Sequence, residues 1–162
     1  MEIKERKATD EAPYTYTLSG LKNVLLVGMF VRQCPHCGVE SPVIPKIAQL
    51  HQVMAQNLVG KTALLDGDEI RFLRKNAGFP ANKFAALLGI TPEHLSRVEN
   101  GKISYLGPGG DKLVRAIVTA QRDGGDCARK VLLEMAERLE GARQSAPGPI
   151  FRLERNRWRS AA

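Results

Sequence analysis

The chain has 162 residues, 43% of them hydrophobic, with a formal charge of +7 and a pI near 9.6. That length and apolar fraction suit one or two small domains with a packed core and exclude a low-complexity or disordered chain. No apolar run approaches the roughly 20 residues of a membrane span and the first ten residues are charged, so a cytoplasmic protein without a membrane anchor is expected. The basic excess favours a polyanionic partner, although it is spread along the chain rather than blocked.

Taken in order, residues 1–13 are polar and read as a flexible N-terminus. Tyr14 to Thr17 alternates like a half-buried strand, Ser19-Gly20 marks a turn, and Val24 to Val27 and Met29 to Gln33 read as two further strands folded at Gly28. Cys34-Pro35-His36-Cys37-Gly38 follows at once. After Pro42 and Pro45, the stripe Ile47, Leu50, Met54 and Leu58 predicts a helix ending near Gly60, so residues 14–60 make a β knuckle with a linking helix.

The segment from Asp66 to Ile103 is the most legible part. Asp66 followed by Glu69 has the spacing of a capping box. Ile70, Leu73 and Ala77 then lie on one helical face, with Gly78 as the stop. Pro80 opens a second helix carrying Phe84, Leu87 and Leu88, and Gly89 ends it. Thr91-Pro92 supplies an N-cap and a first-turn proline for a third helix seamed by Leu95 and Val98 and closed by Gly101. Two short helices joined by so tight a turn cross steeply, and the second is left at the surface. Glu93, His94, Ser96, Arg97 and Asn100 point outward from it. A helix-turn-helix placed over residues 61–122 would include one more helix from about Gly109 to Arg122. An amphipathic helix is expected over Asp126 to Leu139, within residues 123–145, and residues 146–162 read as a linker and a basic tail around Trp158.

Ile70-Arg71-Phe72-Leu73-Arg74, Phe84 to Ile90 and Leu95 to Gly101 resemble the Cro/phage-repressor, or Xre, type of helix-turn-helix. The resemblance implies that Pro92, Glu93 and Arg97 face base edges in the DNA major groove and that Asn100 and Lys102 approach phosphates. It also implies that Glu99 is an internal acid, with Arg74 as its partner. Where the family begins its second helix with Ser-Gln, this chain has Pro80-Ala81, so Asn82 or Lys83 would have to hold the phosphate. Proline at the first base-facing position shifts readout to Glu93, His94 and Arg97. Glu93 could accept from cytosine but repels phosphate.

Tyr14 to Val24, Cys34 to Gly38, Ile44 to Ile47 and Ile70 to Lys75 together look like the YgiT-type zinc-finger plus helix-turn-helix family, which includes the MqsA-type antitoxins. The likeness covers residues 14 to about 122. It implies a homodimeric repressor on a palindromic double-stranded operator, serving a toxin–antitoxin operon, with a cognate toxin as a candidate partner. An antitoxin acting mainly by direct toxin neutralisation is the alternative.

Zinc in a structural site wants four Cys or His ligands, and Cys34 and Cys37 supply two. The second C-x-x-C of fuller family members is missing; His51 on the following helix could be a third ligand, while Cys127 is distant in sequence. The knuckle is therefore read as degenerate, with no cofactor required and zinc as an option. A redox or metal-dependent enzyme built on Cys-Pro-His-Cys is a further alternative, opposed by Gly38, Pro42 and Pro45, which prevent a helix from starting at the pair. No nucleophile motif, phosphate loop or paired catalytic carboxylates occur, so the chain is read as a non-enzyme, mainly α with a small N-terminal β knuckle and a five-helix DNA-binding domain.

Overall fold

The computed structural model describes residues 4–123 and 148–161. The chain divides into two compact units: Met1–Met54 together with Pro147–Ala162, and Ala55–Ala146.

The first unit is built on two sheets. Strands β1 (Lys4–Lys7), β4 (Phe30–Gln33) and β5 (Glu40–Val43) form an antiparallel sheet in the order β1-β4-β5. Strands β2 (Tyr14–Thr15), β3 (Leu25–Val27), β6 (Ile150–Glu154) and β7 (Arg157–Ala161) form the other, in the order β2-β3-β6-β7, with β3 and β6 parallel. Leu26, Met29, Val31, Phe151 and Trp158 are buried, as are Tyr16 and, on helix α1 (Ile47–Gly60), Leu50 and Met54. The expected stripe on α1 is thus buried at Leu50, Met54 and Leu58, whereas its first member, Ile47, is 47% exposed.

Three expectations for this unit are corrected. The N-terminal residues are not a free arm: Lys4–Lys7 pairs with β4 although all four residues are charged. Cross-strand ion pairs replace apolar alternation there, Arg6 with Glu40 at 3.0 Å and Arg32 with Glu5 at 3.2 Å. Nor are the last residues a tail. Phe151 and Trp158 turn one face of the β6–β7 hairpin into the core, and the Trp158 indole donates to the Pro45 carbonyl at 2.8 Å. Among the described residues seven strands in two sheets therefore stand where a small knuckle was expected, so the expectation of a mainly α protein is met in its five helices but not in the extent of its β structure. The helix expected over Asp126 to Leu139, with Val131, Met135, Leu139 and Cys127, lies outside the described residues.

The second unit is helical, with α2 (Gly67–Asn76), α3 (Ala81–Leu87), α4 (Pro92–Glu99) and α5 (Gly107–Asp123) following the end of α1. Its apolar centre is Leu65, Ile70, Leu73, Phe84, Leu95, Val98 and Val114, each no more than 1% exposed. Arg115 is completely buried among them. Its guanidinium pairs with Asp111 at 2.8 Å and donates to the carbonyls of Val59, at 3.1 Å, of Ala63, at 2.7 Å, and of Lys61. Asp111 in turn accepts from the Leu65 amide at 2.7 Å. A single ion pair thus supplies partners to three carbonyls at the end of α1 and in the loop after it, and to the amide of buried Leu65.

Candidate nucleic-acid interface

Each helix of the motif is stopped and started by identifiable chemistry. Asp66 accepts from the Glu69 amide and Glu69 reaches back to the Asp66 amide, both at 2.9 Å, closing the capping box at the start of α2. Lys61 grips the same Glu69 carboxylate at 2.7 Å. Helix α3 ends with Gly89 at φ 67°, a left-handed conformation cheap only for residues such as glycine. The Gly89 amide then reaches the Ala86 carbonyl at 3.1 Å and the Ile90 amide the Ala85 carbonyl at 3.0 Å, which fixes the tight turn. Thr91 caps α4 through its hydroxyl, which accepts from the His94 amide at 3.2 Å, and Pro92 occupies the first turn.

Helix α4 is presented by its contacts with α2. Leu95 and Val98 are fully buried, and Gly67 lets the first turn of α2 meet the end of α4 backbone to backbone, for a Cβ there would collide with the Val98 carbonyl. Glu99 is 7% exposed and receives the Arg74 guanidinium in a two-pronged pair at 2.7 and 2.9 Å, while Arg74 also donates to the Phe79 carbonyl at 3.0 Å. The structure thus brings together the two residues singled out as a structural pair. It adds Arg71, which lies 3.6 Å from the Glu99 carboxylate and donates to the Asn100 side chain at 2.6 Å. Arg71 was not among the sequence candidates, though its i, i+3 relation to Arg74 put both on one helical face.

Pro92, Glu93, His94, Ser96 and Arg97 are all exposed on the outer face of α4, Asn82 and Lys83 are exposed at the start of α3, and Lys102 is exposed just past α4. Two candidates are less free than the sequence suggested. Asn100 is held internally, its amide donating to the Ser96 carbonyl at 2.8 Å and to the Ser96 hydroxyl at 3.2 Å while its oxygen takes Arg71. The Glu93 carboxylate accepts from its own amide and from the Thr91 hydroxyl and lies near Arg97, which together hold its pKa below the usual carboxylate value. With Glu93 turned onto the helix start, Arg97 is left as the long cationic side chain in the middle of the exposed face.

The cysteine knuckle is the turn between β4 and β5. Cys34 and Cys37 are free thiols, and the amides of Cys37 and His36 with the Cys37 thiol direct donors at the Cys34 sulfur, which lowers its pKa. The proposed third ligand is engaged elsewhere: the His51 ring stacks on Tyr16, and its Nε2 lies 3.0 Å from the Tyr16 hydroxyl. Among the described residues no group of three His, Cys, Asp or Glu side chains is placed to hold a metal ion. Two thiols supply only half of a tetrahedral donor set, so among the described residues Cys34 and Cys37 do not by themselves make a structural zinc site.

Residues 70–105 match the helix-turn-helix family model, the span from the buried face of α2 to the loop beyond α4. This segment is a helix-turn-helix domain of the Xre/Cro type, and it supports a DNA-binding transcription regulator in general. No curated protein and no solved structure gives a significant match to the chain. No helix among the described residues is long and apolar enough to cross a membrane.

Proposed function

We propose that the protein is a transcriptional repressor that binds a palindromic operator as a homodimer and occludes a promoter with two copies of α4 in successive major grooves. The observation that carries this reading is the contrast on α4: Leu95, Val98 and Glu99 are buried while Pro92, Glu93, His94, Ser96 and Arg97 are exposed on a helix fixed at its end by the Arg74–Glu99 pair. Arginine in that position can take guanine O6 and N7 together, and Asn82, Lys83 and Lys102 are available to phosphates. One short helix reads few base pairs, which is why two copies are invoked. The α5 face through Leu113, 37% exposed, and Ile117 is available for that association. The reading needs neither catalysis nor a cofactor.

The finer assignment, to the regulator of a toxin–antitoxin operon, rests on the motif resemblance in residues 14–122. Direct masking of a toxin is its alternative. Here the specific observation is the cross-strand pair Phe30 and Val43, exposed by 49% and 41% on one sheet face.

The test is to sequence the DNA retained by the purified protein and to titrate the recovered site with Arg97→Ala. Operator affinity should fall about 5- to 150-fold, the equivalent of the roughly 1–3 kcal/mol of one bidentate base contact, with the melting temperature unchanged. Wild-type affinity in the variant at matched salt would refute the assignment of α4.

A further inference from the structure

Beyond the helix-turn-helix, we propose that the β6–β7 hairpin is a second nucleic-acid contact, in which Arg155, Arg157 and Arg159 bind the phosphate backbone of duplex DNA without reading its sequence. Three observations carry it. The register places Arg152 opposite Arg159 and Glu154 opposite Arg157, so these four share the face turned away from buried Phe151 and Trp158. Arg152 is taken by Asp10 and lies 3.9 Å from Glu154. Arg155, Arg157 and Arg159 are exposed and have no carboxylate within ion-pair distance among the described residues.

The second observation is the turn. Arg155 and Asn156 form a two-residue connection with φ 46° and 63°, the type in which both central residues are left-handed. Asparagine, aspartate or glycine occupies such positions at little cost, whereas an arginine there carries backbone strain. Packing does not explain the choice, since Arg155 is exposed, so a function of the guanidinium is the economical account. The strain is held by its surroundings: Lys46 donates to the Asn156 carbonyl at 2.9 Å, adding a fourth cation at the tip, and Trp158 anchors the following strand on Pro45.

The third is charge and spacing. The described part of this unit carries ten Lys and Arg against five Asp and Glu, and the acids near the hairpin are Asp10, paired with Arg152, and Glu154, which is opposite Arg157 but not within ion-pair distance of it. Alternate residues of a strand stand about 7 Å apart, close to the separation of neighbouring phosphates on one DNA strand, so Arg157 and Arg159 can take successive phosphates. Guanidinium matches phosphate with paired hydrogen bonds, and β-ribbons are an established way of laying side chains against a duplex. The proposal rests on the DNA-binding reading only in choosing duplex DNA as the polyanion.

The experiment compares the full chain with Arg155→Asn/Arg157→Gln/Arg159→Gln and with a triple lysine variant of the same positions. Binding to a duplex of scrambled sequence and to the recovered operator is followed across a salt series. Each phosphate contact contributes about 0.9 to the slope of log affinity against log salt, so the neutral variant should lose roughly 2 to 3 from that slope on both duplexes, while the lysine variant retains it. Because asparagine suits the turn, the neutral variant should melt no lower than wild type, so lost binding cannot be lost folding. An unchanged slope on the scrambled duplex overturns the hairpin contact and leaves the α4 reading standing. If Arg97→Ala instead binds the operator like wild type while the hairpin variant loses slope, the α4 reading fails and the hairpin contact survives. Hairpin-dependent binding that polyglutamate abolishes at lower charge concentration than duplex DNA also overturns the proposal, in favour of an acidic protein partner.

Discussion

In the helical unit several charges are turned inward, whereas in the β unit they lie on the outside. Glu99 sits between Arg74 and Arg71 and Glu69 against Lys61, each joining two segments of the helical fold, while Asp111 and Arg115, one turn apart on α5, pair with each other and hold the backbone around Lys61. In the β unit the ion pairs of Arg6, Arg32 and Arg152 run across or beside exposed strands, and Arg155, Arg157 and Arg159 stand without acidic partners among the described residues. The difference shows that net charge alone is a poor guide to a binding surface. In the helical unit Lys61, Arg71, Arg74 and Arg115 are taken up in ion pairs, whereas Lys83, Arg97 and Lys102 are exposed without one among the described residues, so the informative cations are those the fold leaves unused.

The sharpest way to break this comparison is Arg115→Ala. Removing one member of a buried pair leaves Asp111 uncompensated and the carbonyls of Val59 and Ala63 without their donor, at a cost of about 3–5 kcal/mol. Denaturant titration with hydrogen exchange should show the loss in α2 to α5; exchange protection lost equally in the β strands would mean that the two units unfold as one. Trp158→Ala is the converse probe. Emptying a buried indole site costs about 3–5 kcal/mol, and here exchange should accelerate in β3, β6 and β7 while α4 retains its protection.

Gly67→Ala asks whether close backbone approach positions α4. The added methyl meets the Val98 carbonyl, so the helices must shift, with an expected cost of about 1–3 kcal/mol and a fall in operator affinity that Ala substitution at a solvent-facing helical position such as Asn76 should not produce.

The smallest effect concerns pH. Burial lowers the pKa of His51 in the folded state, so the unfolded chain binds more protons near pH 6.5 and below. Stability from this group is complete above the unfolded value and declines as pH falls through it toward the depressed folded value. A melting series from pH 7.5 to 5 should show a decline that is shallower in His51→Gln; identical slopes would remove His51 as its source.

The helix-turn-helix was legible because its signals are local. Asp66 and Glu69, Thr91 and Pro92, and Gly89 act within a turn of their own positions, and the Arg74–Glu99 pair followed from the family resemblance. The β unit was misread where its determinants are remote. Lys4–Lys7 is a strand by pairing with β4, where Arg32 stands opposite Glu5, and Arg6 reaches Glu40 on β5; nothing in four charged residues announces that. The hairpin carried a recoverable clue in Phe151 and Trp158, whose apolar bulk flanks a two-residue Arg-Asn turn, but its mate β3 is far away in sequence. The resemblance puts Asn100 at a phosphate, and no local signal reveals the Arg71 side chain that also engages it.

The parallel pairing of β3 with β6 has a consequence for how the protein is made. Translation delivers Leu25–Val27 long before Ile150–Glu154, and every residue of the helical unit is synthesised between them. The short-range contacts of α2 to α4 can form as they emerge, whereas β3 must wait with one edge open until the final hairpin arrives and the long loop closes. A nascent chain stalled before residue 150 would therefore carry a folded α4 and an unfinished sheet, with an exposed strand edge of the kind that chaperones and proteases act upon.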